Sequence, residues 1–104
     1  MKSQKKRRLQ AAGFKVGTAA EFLSLTPSED ALVSLRLALA EEVRRRRLEL
    51  QFSQADLARR LGSSQSRIAK LEGAEPNVSL DLLFKALLAT GARMREVGKV
   101  IAAA

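Results

Sequence analysis

The sequence predicts an all-α fold, and three observations carry that expectation. Leu and Ala supply 17 residues each of the 48 apolar ones, whereas Val and Ile together supply 8, so the apolar content favours helix over strand. Two Pro and six Gly in 104 residues leave little turn chemistry for a hairpin-built sheet. Ser, Thr and Gly recur at the spacing of short capped helices throughout the second half of the chain.

The elements follow in order. Residues 1–10 hold too little apolar side chain to fold alone and read as an arm. Residues 11–16 are ambiguous. Thr18 and Glu21 have capping-box spacing ahead of Phe22, Leu23 and Leu25, which predicts a helical turn or two. Thr26, Pro27 and Glu29 form a stronger start: Thr26 caps, Pro27 suits the first helical position and Glu29 reaches back. From there the chain reads helical to about Leu50, with Leu32, Leu35, Leu39 and Val43 on one apolar stripe. Arg44, Arg45, Arg46 and Arg47 step about 100° each around that helix, so at least one of them must point inward or find a partner.

Ser53 with Asp56 starts a helix over 54–61, which Gly62 stops. Ser64 caps a helix over 65–71, which Gly73 stops. Glu75, Pro76 and Asn77 read as a loop. Ser79 caps 80–90, which Gly91 ends. A last helix over 93–103 carries Met94, Val97 and Ile101 on one face, there either to close the core or to form a dimer seam. The expected organisation is a basic arm with a short extension over 1–25 and a helical domain over 26–104.

Charge is unevenly distributed. Of a formal net charge of +8, residues 1–16 contribute six bases and no acid, residues 17–43 are net −4, residues 44–70 are net +6 and the remainder balances. A localised basic block points to a polyanion; for the arm alone, improved solubility is an equal alternative. With no Cys and no His, disulfides, thiol nucleophiles, zinc fingers and His-based acid–base or metal chemistry are excluded. No nucleophile–base pair or phosphate loop can be assembled, so neither an enzyme nor a cofactor is expected. No apolar run reaches membrane-spanning length and none follows the basic start, which predicts no membrane partner and a cytoplasmic, nucleoid-associated protein.

The informative motif is the pair of short helices at 54–61 and 65–71, joined by a three-residue turn containing Gly62. This is the helix-turn-helix pattern. Leu57, Leu61, Ile68 and Leu71 can meet across the turn, while Ala55 and Ala58 allow close approach. The outward residues of the second helix are Gln65, Ser66, Arg67 and Lys70. Gln can bond adenine bidentately and Arg or Lys can bond guanine, so these four are candidate base contacts. Arg44, Arg46, Arg60 and Asn77 are candidate phosphate contacts, with plain solvation as the alternative for the first two and dipole complementation for Arg60.

Residues 52–73, FSQADLARRLGSSQSRIAKLEG, closely resemble the Xre/Cro-like helix-turn-helix family, which includes phage repressors. The matching features are the S-Q opening of the first motif helix, A-x-x-L-G at the turn, S-Q-S opening the second helix, and I-x-x-L-E. The resemblance extends over about residues 35–88 and implies a five-helix DNA-binding domain. The whole layout, including KVGTAAEFL and SLDLLFKALLATGA, resembles small HigA-type antitoxins encoded beside a RelE-like toxin.

The resemblance implies roles residue by residue. Gln54 and Ser64 correspond to phosphate-contacting positions, and Gln65, Ser66 and Lys70 to base-reading ones, with Arg67 beside them. Arg47 corresponds to an arginine that pairs with the glutamate at Glu72, as a structural link. Gly73 stands where relatives often carry a phosphate-touching side chain, and Ser63 replaces a commoner apolar or Thr turn residue.

The implied function is a sequence-specific, homodimeric repressor of a palindromic operator on double-stranded DNA, serving as the antitoxin of a type II module and binding a RelE-like toxin. The basic arm at residues 2–8 follows the minor groove or contacts that partner. A stand-alone regulator, or an interaction module that has lost DNA binding, is the alternative.

Overall fold

The structure, a computed structural model, describes residues 25–104. The expected basic arm and the turn around Thr18–Glu21 lie outside the described residues. By its contacts the chain divides into Met1–Val33 and Ser34–Ala104, which are taken in turn. Among the described residues every regular element is a helix: α1 (Pro27–Glu49), α2 (Gln54–Leu61), α3 (Gln65–Glu72), α4 (Leu80–Ala89) and α5 (Met94–Ala103). The all-α expectation and the five-helix layout are therefore met.

In the first unit, α1 begins on the capping box that the sequence announces. The Glu29 N–H donates to Thr26 Oγ1 at 3.1 Å, and the Thr26 N–H donates to Glu29 Oε1 at 2.8 Å. Two of the orphan donors of the helix start are thereby satisfied. The backbone N–H of Thr26 also holds the Glu29 carboxyl below its usual range. Leu32, expected on the buried stripe, is 39% exposed.

In the second unit the buried stripe of α1 starts with the partly buried Leu35 and continues through Leu39, Ala40 and Val43. Helices of eight to ten residues can cover only part of a 23-residue one. The core is completed by Leu57 and Ala58 of α2, Ile68 and Leu71 of α3, Val78 of the following loop, Leu83, Ala86 and Leu87 of α4, Ala92, and Val97 of α5. α2 packs chiefly on α3 and also on α4, and α4 packs on α5. The Arg36 guanidinium donates to the Val78 carbonyl, fastening the 73–79 loop to α1.

Four helices of this unit end in the same way. Just past each helix end an N–H reaches back five residues, from Phe52 to Arg47, Ser63 to Ala58, Glu75 to Lys70 and Ala92 to Leu87. The residue before it is left-handed: Gln51, Gly62, Ala74 and Gly91. This double-bonded stop absorbs the last carbonyls of each helix. Gly73 caps α3 as expected, but at φ −82°, and the left-handed residue is Ala74, because α3 runs one residue further than its apolar spacing indicates, to Glu72.

On α5 the expected apolar face splits. Val97 is buried in the core, whereas Met94 is 66% and Ile101 40% exposed.

Candidate nucleic-acid interface

The helix pair α2–α3 is built by its caps. Ser53 accepts from the Asp56 N–H at 3.0 Å and its own N–H donates to Asp56 Oδ2 at 2.8 Å. Those bonds to Ser53 hold the Asp56 carboxyl below its usual range, with Arg59 beside it adding to the effect. Gly62, at φ 65° and ψ 36°, turns the chain where a side chain would be strained. Ser64 then accepts from the Arg67 N–H at 3.1 Å and starts α3.

Ile68 and Leu71 fix one side of α3 in the core. Residues step about 100° around the axis, so Ser66, Ala69 and Gly73 centre the opposite side. Gln65 and Lys70 flank them, and Arg67 and Glu72 lie on the margins. Gln65, Ser66, Arg67, Ala69 and Lys70 are all exposed. Arg67 and Lys70 form no ion pair among the described residues. Ser64, Ser66, Arg67 and Lys70 line a cleft shared with Asn77 and Val78, so the loop after α3 extends the polar surface on the Arg67 side.

Behind this face lies a buried ionic link. Arg47 donates from Nε to Glu72 Oε2 at 2.5 Å, from Nη2 to Glu72 Oε1 at 3.0 Å, and from Nη1 to the Phe52 carbonyl at 2.8 Å. The two side chains are 9% and 5% exposed. The Glu72 carboxylate raises the Arg47 pKa above its usual value. Gln54 joins the link, its amide donating to Glu72 Oε1 at 3.2 Å.

The remaining arginines separate. Arg44 is exposed. Arg45 bridges Glu42 and Glu49. Arg46 donates to Glu42 at 2.8 Å and lies 3.4 Å from Glu96 of α5. Arg45 and Arg46 together lower the Glu42 pKa, Arg45 most. Arg46, expected at phosphate, is thus engaged as a link between α1 and α5 with its side chain only 16% exposed. Arg60 stacks over the Phe52 ring at 4.3 Å, a cation–π contact that sequence reasoning missed. Ala69 was missed as well, although its spacing from Gln65 and Ser66 places it on the same face.

A family model described as HTH_3, helix-turn-helix, matches residues 43–97, from the last buried valine of α1 to the core valine of α5. The chain belongs to this family. HTH_3 is a DNA-binding regulatory family and not an enzymatic one, so the chain is a DNA-binding regulator and α3 corresponds to the recognition helix of the motif. Comparison with curated proteins and with solved structures gave no match. Among the described residues no helix is long and apolar enough to cross a membrane, and no cluster of His, Cys, Asp or Glu could hold a metal ion.

Proposed function

We propose that this HTH_3 chain is a sequence-specific repressor that reads double-stranded DNA through α3. Gln65, Ser66, Arg67 and Lys70 are the base-contacting side chains in this reading, with the Ala69 methyl beside them suited to a thymine methyl. Gln54, Ser64, Asn77, Arg60 and Arg44 contact phosphate, and Arg46 does so only after leaving Glu42 and Glu96. The observation that carries the reading is the face of α3 itself: five exposed residues, none of them large and apolar, with two cations that form no ion pair among the described residues. A surface helix built for a protein partner would present apolar anchors instead.

One recognition helix touches too few base pairs to discriminate against a genome. The reading therefore includes a homodimer on a palindromic operator, with half-sites about one helical turn apart, and repression by occupying a promoter. The layout resemblance supports a further role as the antitoxin of a type II module that binds a RelE-like toxin and autoregulates its operon. In this reading residues 1–25 form a basic arm on a domain over 26–104, and the protein is nucleoid-associated in the cytoplasm. Selection of bound duplexes from a random library tests the reading. An inverted repeat should be enriched, and library-like sequence after several rounds would refute sequence-specific recognition. Co-purification with the product of an adjacent toxin-like reading frame tests the antitoxin role.

A further inference from the structure

We infer that Glu72, held by Arg47, is a positioning residue for DNA binding that acts through the side chain of Gln54. The inference rests on the reading of α2–α3 as the DNA-binding pair and adds residues that touch no DNA themselves.

Three observations carry it. First, Glu72 Oε1 accepts from both Arg47 Nη2 and Gln54 Nε2, at 3.0 and 3.2 Å. The carboxylate accepts and cannot donate, so it fixes which end of the Gln54 amide turns toward it. A flipped amide would set two oxygens against each other. Second, the amide nitrogen carries two N–H groups and Glu72 occupies one. The other remains for an acceptor, and a phosphate oxygen is an acceptor only. Third, a bare carboxylate next to a phosphate-binding group would repel DNA. The guanidinium at 2.5 Å from Glu72 Oε2 cancels that charge. Arg47 spends its remaining fork nitrogen on the Phe52 carbonyl, whose residue supplies the ring beneath Arg60. One buried pair thus holds the surroundings of two phosphate-facing side chains.

A purely structural pair would affect DNA binding only through folding. The distinction is measurable with a double-mutant cycle on the full chain. Gln54→Ala, Glu72→Gln and the double variant are compared with the parent on a labelled 20-base-pair duplex of arbitrary sequence, because phosphate contacts serve all sequences alike. Each is measured where circular dichroism shows it fully folded. Glu72→Gln leaves one oxygen for donors that now use two, so it should weaken binding about tenfold. When Gln54→Ala is already present it should weaken binding less than about twofold. If Glu72→Gln does not fold, Arg47→Lys, which keeps the charge and loses the fork, is expected to give the same pattern. Equal fold-losses in both backgrounds overturn the inference, and so does a Gln54→Ala variant that binds as the parent does. A parent chain that binds no duplex at low salt overturns the DNA-binding reading itself.

Discussion

Arg47 and Glu72, 25 positions apart, meet as a two-bonded ion pair at 2.5 and 3.0 Å and fasten the last turn of α1 to the last residue of α3. Removing one partner strands a buried charge, whereas the intact pair leaves no buried side-chain atom unsatisfied among the described residues. Glu72→Ala should therefore cost about 3 kcal/mol of unfolding free energy, read as a lower urea midpoint. A loss below about 0.5 kcal/mol would show the pair to be ornamental.

The helix stops allow a paired test. Gly62→Ala forces a Cβ onto φ 65° and should cost about 1 kcal/mol. Gly73→Ala places a Cβ at ordinary contact, 3.5 Å from the Ala69 and Lys70 carbonyl oxygens, on a backbone any residue adopts. It should be neutral or stabilising by up to about 1 kcal/mol. Thermal melts of the two variants should move in opposite directions or differ by several degrees.

These stops also show where the sequence was legible. Capping boxes at Thr26 and Ser53 and the Ser64 and Ser79 caps need only local spacing, and all four form as expected. The Arg47–Glu72 link was legible through family resemblance, and the outward polarity of α3 through periodicity. What was not legible depends on where an element ends or on what crosses between elements. A one-residue longer α3 moves the left-handed position from Gly73 to Ala74. The engagement of Arg46 with Glu96 and the seat of Arg60 on Phe52 pair residues whose contact no local pattern announces. Leu32 keeps the period of the buried stripe yet is 39% exposed.

Acid should destabilise the fold in a defined window. Glu29, Glu42, Asp56 and Glu96 all have lowered pKa values, caused first by hydrogen bonds from Thr26, Arg45, Ser53 and Arg93 respectively. A carboxylate with a folded-state pKa below its unfolded one contributes stability fully present above the unfolded value and lost as pH falls through the folded value. With usual values of 4.5 for Glu and 3.8 for Asp, Tm should hold steady from pH 8 down to about 5.5 and then fall. Asp56→Asn should flatten that fall. With no histidine in the chain, DNA affinity should be unchanged between pH 6 and 7, below the range in which an α-amino group titrates.

The dimer reading has its own handle in Met94 and Ile101, exposed on α5 while Val97 between them is buried. Substituting both by Ser should leave the monomer's Tm within a few degrees, shift sedimentation from dimer to monomer, and weaken binding to a two-half-site duplex more than to a single half-site. Unchanged sedimentation would place the seam elsewhere.

The most direct test of recognition by α3 is a competition titration, at fixed salt, of the selected operator against random duplex, for the parent chain and for Gln65→Ala and Lys70→Ala. Each substitution should cost about 1–3 kcal/mol on the operator and little on random DNA, collapsing the ratio between them. A ratio unchanged in both variants, with operator binding intact, would contradict the account.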